Sequence, residues 1–259
     1  MKGALDLNHF DLSDSVMESI LDNHSTGRFV LDDSTVHRFH QMFWTKAAAA
    51  YHSLSTKTAL KLYMYSLSFP TDTLPTSDLS NLQANIAWCH LKENHPAEAQ
   101  VYASMSTENL RSLYVQFKVA LAAGDTHKAE AMLRSLRSQQ QVDEDSELRE
   151  GLLSLAVTDA FHAESRCIAI VALESLCSDD ADVNDTHLLR CLVRLKYTQF
   201  EEQDFRTKWN DLLHLVQLAG SKIKQHTSTA AAANDGGVHA ELEWWARITW
   251  QFGLESCEY

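Results

Sequence analysis

Residues Ala84 to Ser106 read ANIAWCHLKENHPAEAQVYASMS, and the spacing of small residues in this stretch decides the fold. Ala87 stands twelve residues before Ala99, and Ser106 seven after it, with the turn Asn94-His95-Pro96 between the two alanines. The same arrangement occurs upstream. Thr58-Ala59-Leu60 follows the turn at His52–Ser55, with Ala47 twelve residues before Ala59 and Ser66 seven after. Downstream, Lys128-Ala129-Glu130 follows Gly124-Asp125, and there Phe117 and Leu136 take the two equivalent places. Each alanine lies early in a helix that follows a short turn.

This small-small-small signature resembles the tetratricopeptide repeat, in which two antiparallel helices cross so closely that only Ala, Gly or Ser fits at the crossing. The successive units are 40 and then 30 residues apart, and a generic helical bundle is the alternative reading. The resemblance implies an all-α fold, a TPR-like right-handed α-α superhelix built as a helical-hairpin solenoid, with about twelve helices of ordinary length. One repeat domain over 1–259 is expected, with an acidic N-terminal helical cap over 1–35 and a mobile loop over 226–238.

Composition agrees with helices. The eight glycines and three prolines are about 4% of the chain, against roughly 12% in an average protein. Sandwiches, barrels and doubly wound folds need these residues at their many turns. Apolar residues at 45% allow a real core. No run of eighteen apolar residues occurs, so no bilayer span is expected, and the N-terminus turns acidic before a signal-peptide core can form. Connectors are read at Phe69–Asp78, Gln139–Asp145, Ser178–Thr186 and His226–Val238. Between them the apolar residues recur at steps of three and four, as in Leu110, Leu113, Tyr114, Phe117, Ala120 and Leu121. Further helices are expected at Asp185–Phe200, Phe205–Gln225 and His239–Cys257. Glu147–Phe161 and Ala163–Cys177 form another hairpin, whose register the spacing leaves open.

Charge is uneven. The net is −13, yet residues 36–140 carry ten basic and seven acidic groups, while 141–190 carry three basic and twelve acidic. No block of five basic residues exists, which argues against direct nucleic-acid binding. The acidic stretch reads as solvated loop, or as a contact for a basic partner. Five cysteines, at 89, 167, 177, 191 and 257, include no CxxC pair. An odd count fits a disulfide framework poorly, so reduced thiols and an intracellular setting, cytosol or nucleus, are expected.

Catalytic signatures are missing from the sequence. GxSxG, GxxxxGK[ST], GxGxxG and HExxH do not occur. His37 and His40 lie one turn apart and could hold a metal only with a third ligand; two unremarkable helix histidines are the simpler reading. Asp159 with His162, and Asp211 with His214, read as local pairs rather than acid–base machinery. No enzyme activity, cofactor, metal or small-molecule substrate is expected.

Several strings go beyond a generic repeat. They are Val36-His37 leading to Trp44 and Ala47-Ala48-Ala49-Ala50-Tyr51, then Ala59 to Phe69 (ALKLYMYSLSF), Asn85 to Leu91 (NIAWCHL), Ala97-Glu98-Ala99, Leu188 to Leu195 (LLRCLVRL) and Glu241 to Arg247 (ELEWWAR). Taken in order over residues 36–257, they resemble the sporulation/zipper meiotic family, TPR-like scaffolds of synapsis and crossover proteins, and its fungal members above all. The resemblance implies a nuclear, chromosome-associated scaffold of meiotic prophase. It would bridge crossover-promoting recombination proteins and the chromosome axis and support synaptonemal-complex assembly. Family members are commonly longer, which implies repeats beyond Tyr259 and an apolar face on the last helix. A TPR-like adaptor of a chaperone or trafficking complex is the second reading.

In a helical-hairpin array the first helix of each pair lines the partner groove. With Ala47, Ala87 and Phe117 as crossing points, that face is expected to hold Trp44 and Tyr51, then Ala84, Trp88 and Lys92, then Tyr114 and Lys118, with Asn81 and Arg111 a turn earlier. An aromatic, mildly basic surface of this kind suits an acidic peptide with one or two apolar anchors.

Overall fold

The computed structural model describes residues 10–26, 28, 31–72, 74–106, 109–139, 144–177, 186–198, 205–227 and 236–256. Among them are twelve helices and no strand: α1 Phe10–Ser25, α2 Asp33–His52, α3 Thr56–Leu67, α4 Thr76–Lys92, α5 Pro96–Met105, α6 Leu110–Ala122, α7 Thr126–Ser138, α8 Glu144–His162, α9 Arg166–Leu176, α10 Thr186–Tyr197, α11 Phe205–Thr227 and α12 Gly236–Ser256. The fold is all-α, packed as sequential hairpins.

One turn is used four times. Leu54, Asn94, Gly124 and Glu164 adopt left-handed backbone, with φ of 62°, 62°, 72° and 54°. Each sits one residue beyond a helix C-cap. At each, the left-handed residue's N–H donates to the carbonyl three back, and the next N–H donates to the carbonyl five back. In the first turn these bonds run from Leu54 to Tyr51 and from Ser55 to Ala50, both 3.0 Å. The others pair Asn94 with Leu91 and His95 with His90, Gly124 with Leu121 and Asp125 with Ala120, and Glu164 with Phe161 and Ser165 with Ala160. This is the double-bonded helix stop that a left-handed residue makes possible. The residue after it then opens the next helix, and its carbonyl accepts from Ala59, Ala99, Ala129 or Ala169. All four alanines are buried.

That fourth turn settles the register left open after residue 140. The segment Ala163–Ser165 is the turn itself, so α9 starts at Arg166 rather than at Ala163. Val157 and Leu176 therefore occupy the places of Ala87 and Ser106. At the first three crossings, Ala47, Ala87 and Phe117 before the turn, and Ser66, Ser106 and Leu136 after it, are all buried. Of the expected loop at 226–238, residues 226–227 and 236–238 are helical, and the remainder lies outside the described residues.

The chain divides into two compact units between Ala129 and Glu130, within α7. In the first unit α2 packs on α3, α3 on α4, α4 on α5, and α6 on both α4 and α5. Its main core joins Met17 of α1, Val36 and Phe43 of α2, Leu62 and Tyr63 of α3, and Leu82, Ile86 and Cys89 of α4. Phe39, Phe43 and Phe69 stack together there, with centroids 5.1 to 6.3 Å apart. A second core is made almost wholly of small side chains: Ala84 and Ala87 of α4, Ala99 and Ala103 of α5, and Val115 and Val119 of α6. Capping starts α6 firmly. The Asn109 side chain accepts from the Ser112 N–H at 2.8 Å, and the Ser112 hydroxyl accepts from the Asn109 N–H at 3.0 Å.

In the second unit α8 packs on α9, α10 on α9 and α11, and α11 on α12. Its core gathers Ile170 and Leu173, Leu189 and Leu192, Leu212 and Ala219, and Trp245 and Phe252. Along α12, Trp245 is buried and Trp244 half-buried, whereas Trp250 is 72% exposed.

Candidate functional site

The first unit brings five of the nine expected groove residues together. They come from α2, α4 and α6, the three helices that run into the shared turn. Trp88 is the centre. Its indole N–H donates to the Tyr51 hydroxyl at 2.7 Å, and its ring lies 6.1 Å from that of Tyr114. Lys92, one turn along α4, places its ammonium 5.4 Å from the Trp88 ring centroid, and Lys118 of α6 places its own at 5.9 Å. An ammonium at this range gains about 0.5–1 kcal/mol from the ring at an exposed site. Lys92 is exposed and also sits in the last turn of α4, where a cation complements the helix dipole. Two cations therefore share one half-buried indole.

Trp44, Asn81 and Arg111 stand apart from this cluster. Trp44 belongs to the first hairpin, where its N–H donates to the Ser66 hydroxyl at 3.0 Å. Asn81 accepts from the Asn109 side chain at 3.5 Å, beside the α6 cap. Arg111 is exposed on the first turn of α6. Two expectations of exposure need correcting. Ala84 is buried in the small-residue core, and Tyr114 is buried with its ring between Trp88 and Phe117. Close packing of α6 on both α4 and α5 covers those positions.

His40 and Ser66 form a pair that the local sequence pattern does not show. The His40 Nδ1 lies 2.7 Å from the Ser66 hydroxyl, and its Nε2 lies 3.2 Å from the Pro70 carbonyl. A carbonyl only accepts, so Nε2 carries the proton and Nδ1 accepts from Ser66. Ser66 in turn accepts from Trp44. A Ser–His contact of this length serves nucleophilic catalysis where substrate can reach the hydroxyl. Here both residues are fully buried, and every polar atom has an internal partner. The trio locks α2 to α3 and to the following turn. Burial pushes the His40 imidazole below its ordinary value, against the opposing pull of the Pro70 bond. His37 points elsewhere, to the Gln41 amide at 2.9 Å. Among the described residues no three His, Cys, Asp or Glu side chains converge as a metal site.

A second unexpected cluster lies in the other unit. The Glu241 carboxylate of α12 accepts from Arg190 of α10 at 2.6 Å and from the Trp245 N–H at 3.1 Å. The guanidinium carbons of Arg190 and Arg194 lie 4.6 and 5.5 Å from the Trp244 ring centroid. The LLRCLVRL and ELEWW strings thus meet through their charged and aromatic residues. Arg190 and Arg194, spaced four apart on α10, were the available signal; the partner, 51 residues away in sequence, was not.

No protein-family model matches the chain. Among solved structures it is similar to a TPR repeats protein from Bacteroides fragilis NCTC 9343, at 10% identity over 81% of this chain and 98% of that one, with a TM-score of 0.39. On its own turns and cores, the chain is an all-α protein of sequential helical hairpins. No helix among the described residues is long and apolar enough to cross a membrane.

Proposed function

We propose that this chain is a non-catalytic protein–protein interaction scaffold of meiosis, nuclear and chromosome-associated, that supports crossover formation and synaptonemal-complex assembly. The observation that carries the scaffold reading is the Trp88 cluster, where Lys92 and Lys118 converge on one indole beside Tyr51. The partner surface is centred there, with Tyr114 as its support and Trp44, Asn81 and Arg111 at its margins. Both indole N–H groups are already bonded internally, so a partner meets ring surface and ammonium groups rather than indole donors. An acidic segment with an apolar anchor answers that chemistry. The meiotic reading is supported by the ordered family-like strings, including the two that meet at Glu241 and Trp244.

The double substitution K92E/K118E tests the surface. It is expected to weaken binding to an acidic crossover-promoting partner by about tenfold or more and to flatten the salt dependence, because rim charges act through screened attraction. The melting temperature should fall by only a few degrees, because the two lysines together lose about 1–2 kcal/mol of attraction to the ring. Unchanged affinity places the partner surface elsewhere. Tagging the chromosomal locus tests the setting: expression confined to meiosis with chromosomal foci supports it, and steady vegetative expression with chaperone or vesicle partners selects the other adaptor reading.

A further inference from the structure

A second surface of the first unit has a different chemistry from the Trp88 cluster and shares no residue with it. Between α3 and the turn joining α4 to α5 lies an open cleft of about 450 Å³, within the range of ligand-binding clefts. Leu60 and Met64, one turn apart on α3, give it an apolar lining. Its two sides carry opposite charge. Lys57 and Lys61 stand on the α3 side; Glu93 and Glu98 stand on the other, next to His90 and His95.

Lys57 with Glu93, and His95 with Glu98, are loosely paired. Lys57 reaches Glu93 only at 3.9 Å, and its side chain is 87% exposed while that of Glu93 is 21% exposed. A carboxylate withdrawn from water in this way gains from a closer cation. Glu98 has His95 at 4.0 Å, a contact that is ionic only when the imidazole is protonated. The His90 ring is fixed by stacking on Tyr102, centroids 5.5 Å apart and nearly coplanar in tilt at 7°. Burial holds His90 below the ordinary imidazole value, opposed by Glu98. It is therefore neutral near pH 7, and the wall it shares with Glu93 and Glu98 stays acidic.

We propose that this cleft docks a helical segment of a partner protein that presents one apolar side chain between an acidic and a basic residue. The apolar side chain would rest on Leu60 and Met64. The acidic residue would face Lys57 and Lys61, and the basic one Glu93 and Glu98. A uniformly acidic or uniformly basic segment would place like charge against one wall, which is how charge layout rejects wrong partners.

The test uses the full chain and three labelled, alanine-based helical peptides. Each carries a central Leu, flanked one turn on either side by Glu and Lys, by two Glu, or by two Lys. Fluorescence anisotropy is expected to show the mixed peptide binding about tenfold tighter than either uniform one, with loss on Leu→Ala in the peptide. K57E/K61E should switch the preference to the Lys/Lys peptide, and E93K/E98K to the Glu/Glu peptide. E98K alone, at a half-exposed site, should shift the preference in the same direction, should the double variant lose helicity. K118E alone should leave the order of preference among the three peptides unchanged, which separates this cleft from the Trp88 surface. Equal binding of the three peptides, no binding, or a preference indifferent to these reversals overturns the proposal.

Discussion

Replacing Leu54 by glycine should stabilise the protein, although it removes an apolar side chain. Leu54 holds φ at 62°, where a side chain crowds its own backbone at a cost of about 1–2 kcal/mol. Glycine escapes that crowding but loses more chain entropy on folding, about 0.5–1 kcal/mol. Packing contributes little to the balance, because Leu54 is 92% exposed. Leu54→Gly should therefore gain about 0.5–1 kcal/mol. Glu164, exposed and at φ 54°, should behave alike. Asn94→Gly should be close to neutral, since asparagine already tolerates this conformation. Gly124→Ala should lose about 1 kcal/mol for backbone reasons alone, because a Cβ there would meet nothing within 4 Å. Urea titration followed by far-UV circular dichroism reads all four. Leu54 and Glu164 lie in different units, so if the units melt separately each substitution moves its own transition, and together they add. The shared-turn reasoning fails if Leu54→Gly destabilises or if Gly124→Ala stabilises.

Three further outcomes follow from burial. Ala87→Leu and Ala99→Leu each force a larger side chain into the small-residue core and should cost about 1–3 kcal/mol in the same titration; two neutral results would remove the tight crossing of α4 on α5. His40 is held neutral in the fold, so the unfolded chain binds a proton first as pH falls below about 6.5. The His40 contribution is thus complete above that value and lost as pH drops towards the depressed folded value; His40→Gln should flatten stability between about pH 7 and 5 relative to the parent, and an identical slope would refute it. Burial pushes the Cys89 thiol up to about 12, so a thiol reagent should spare Cys89 and buried Cys177 in the native protein while labelling exposed Cys167 and Cys191; labelling of Cys89 as fast as Cys167, read by peptide mass spectrometry, would contradict the packing.

How much the sequence reveals depends on which part of a hairpin carries the pattern. The first two hairpins are legible because Ala47, Ala59 and Ser66, and Ala87, Ala99 and Ser106, are all small. The third keeps Ala129 and the telltale Gly124. At α8 and α9 the crossing residues are Val157 and Leu176 and the left-handed residue is Glu164, so a reading based on small residues and turn formers loses its register. What persists at all four sites is the hydrogen-bonded turn and the alanine five residues beyond its left-handed residue. Ala163-Glu164-Ser165 followed by Ala169 is the signal that a search keyed to that alanine would have found. Backbone geometry is thus the constant element of the repeat, while side-chain volume at the crossing varies from Ala87 with Ser106 to Phe117 with Leu136.

The candidate site was legible to the same degree and for the same reason. Tyr51, Trp88, Lys92 and Lys118 were placed by helical phase measured from the crossing residue, and they meet because three helices approach the same turn with the same phase. Phase places a residue on a helix face but does not say how much of that face a neighbouring helix covers. Ala84 and Tyr114 have the groove-side phase and are buried all the same, because α6 packs on α4 and α5 together. Helical phase carries no information about polar partners far apart in sequence. His40 with Pro70, and Arg190 with Glu241, are set by how helices dock, and a residue's neighbours three or four positions away hold no record of that docking. A fixed turn sets where each pair of helices begins, and these buried polar contacts then fix how one helix seats on another. In the first unit the His40–Ser66–Trp44 trio braces α2 against α3, on the helix that supplies Tyr51. The position of Tyr51 beneath Trp88, and so the presentation of the two lysines, depends on a polar lock that contributes no atom to the surface itself.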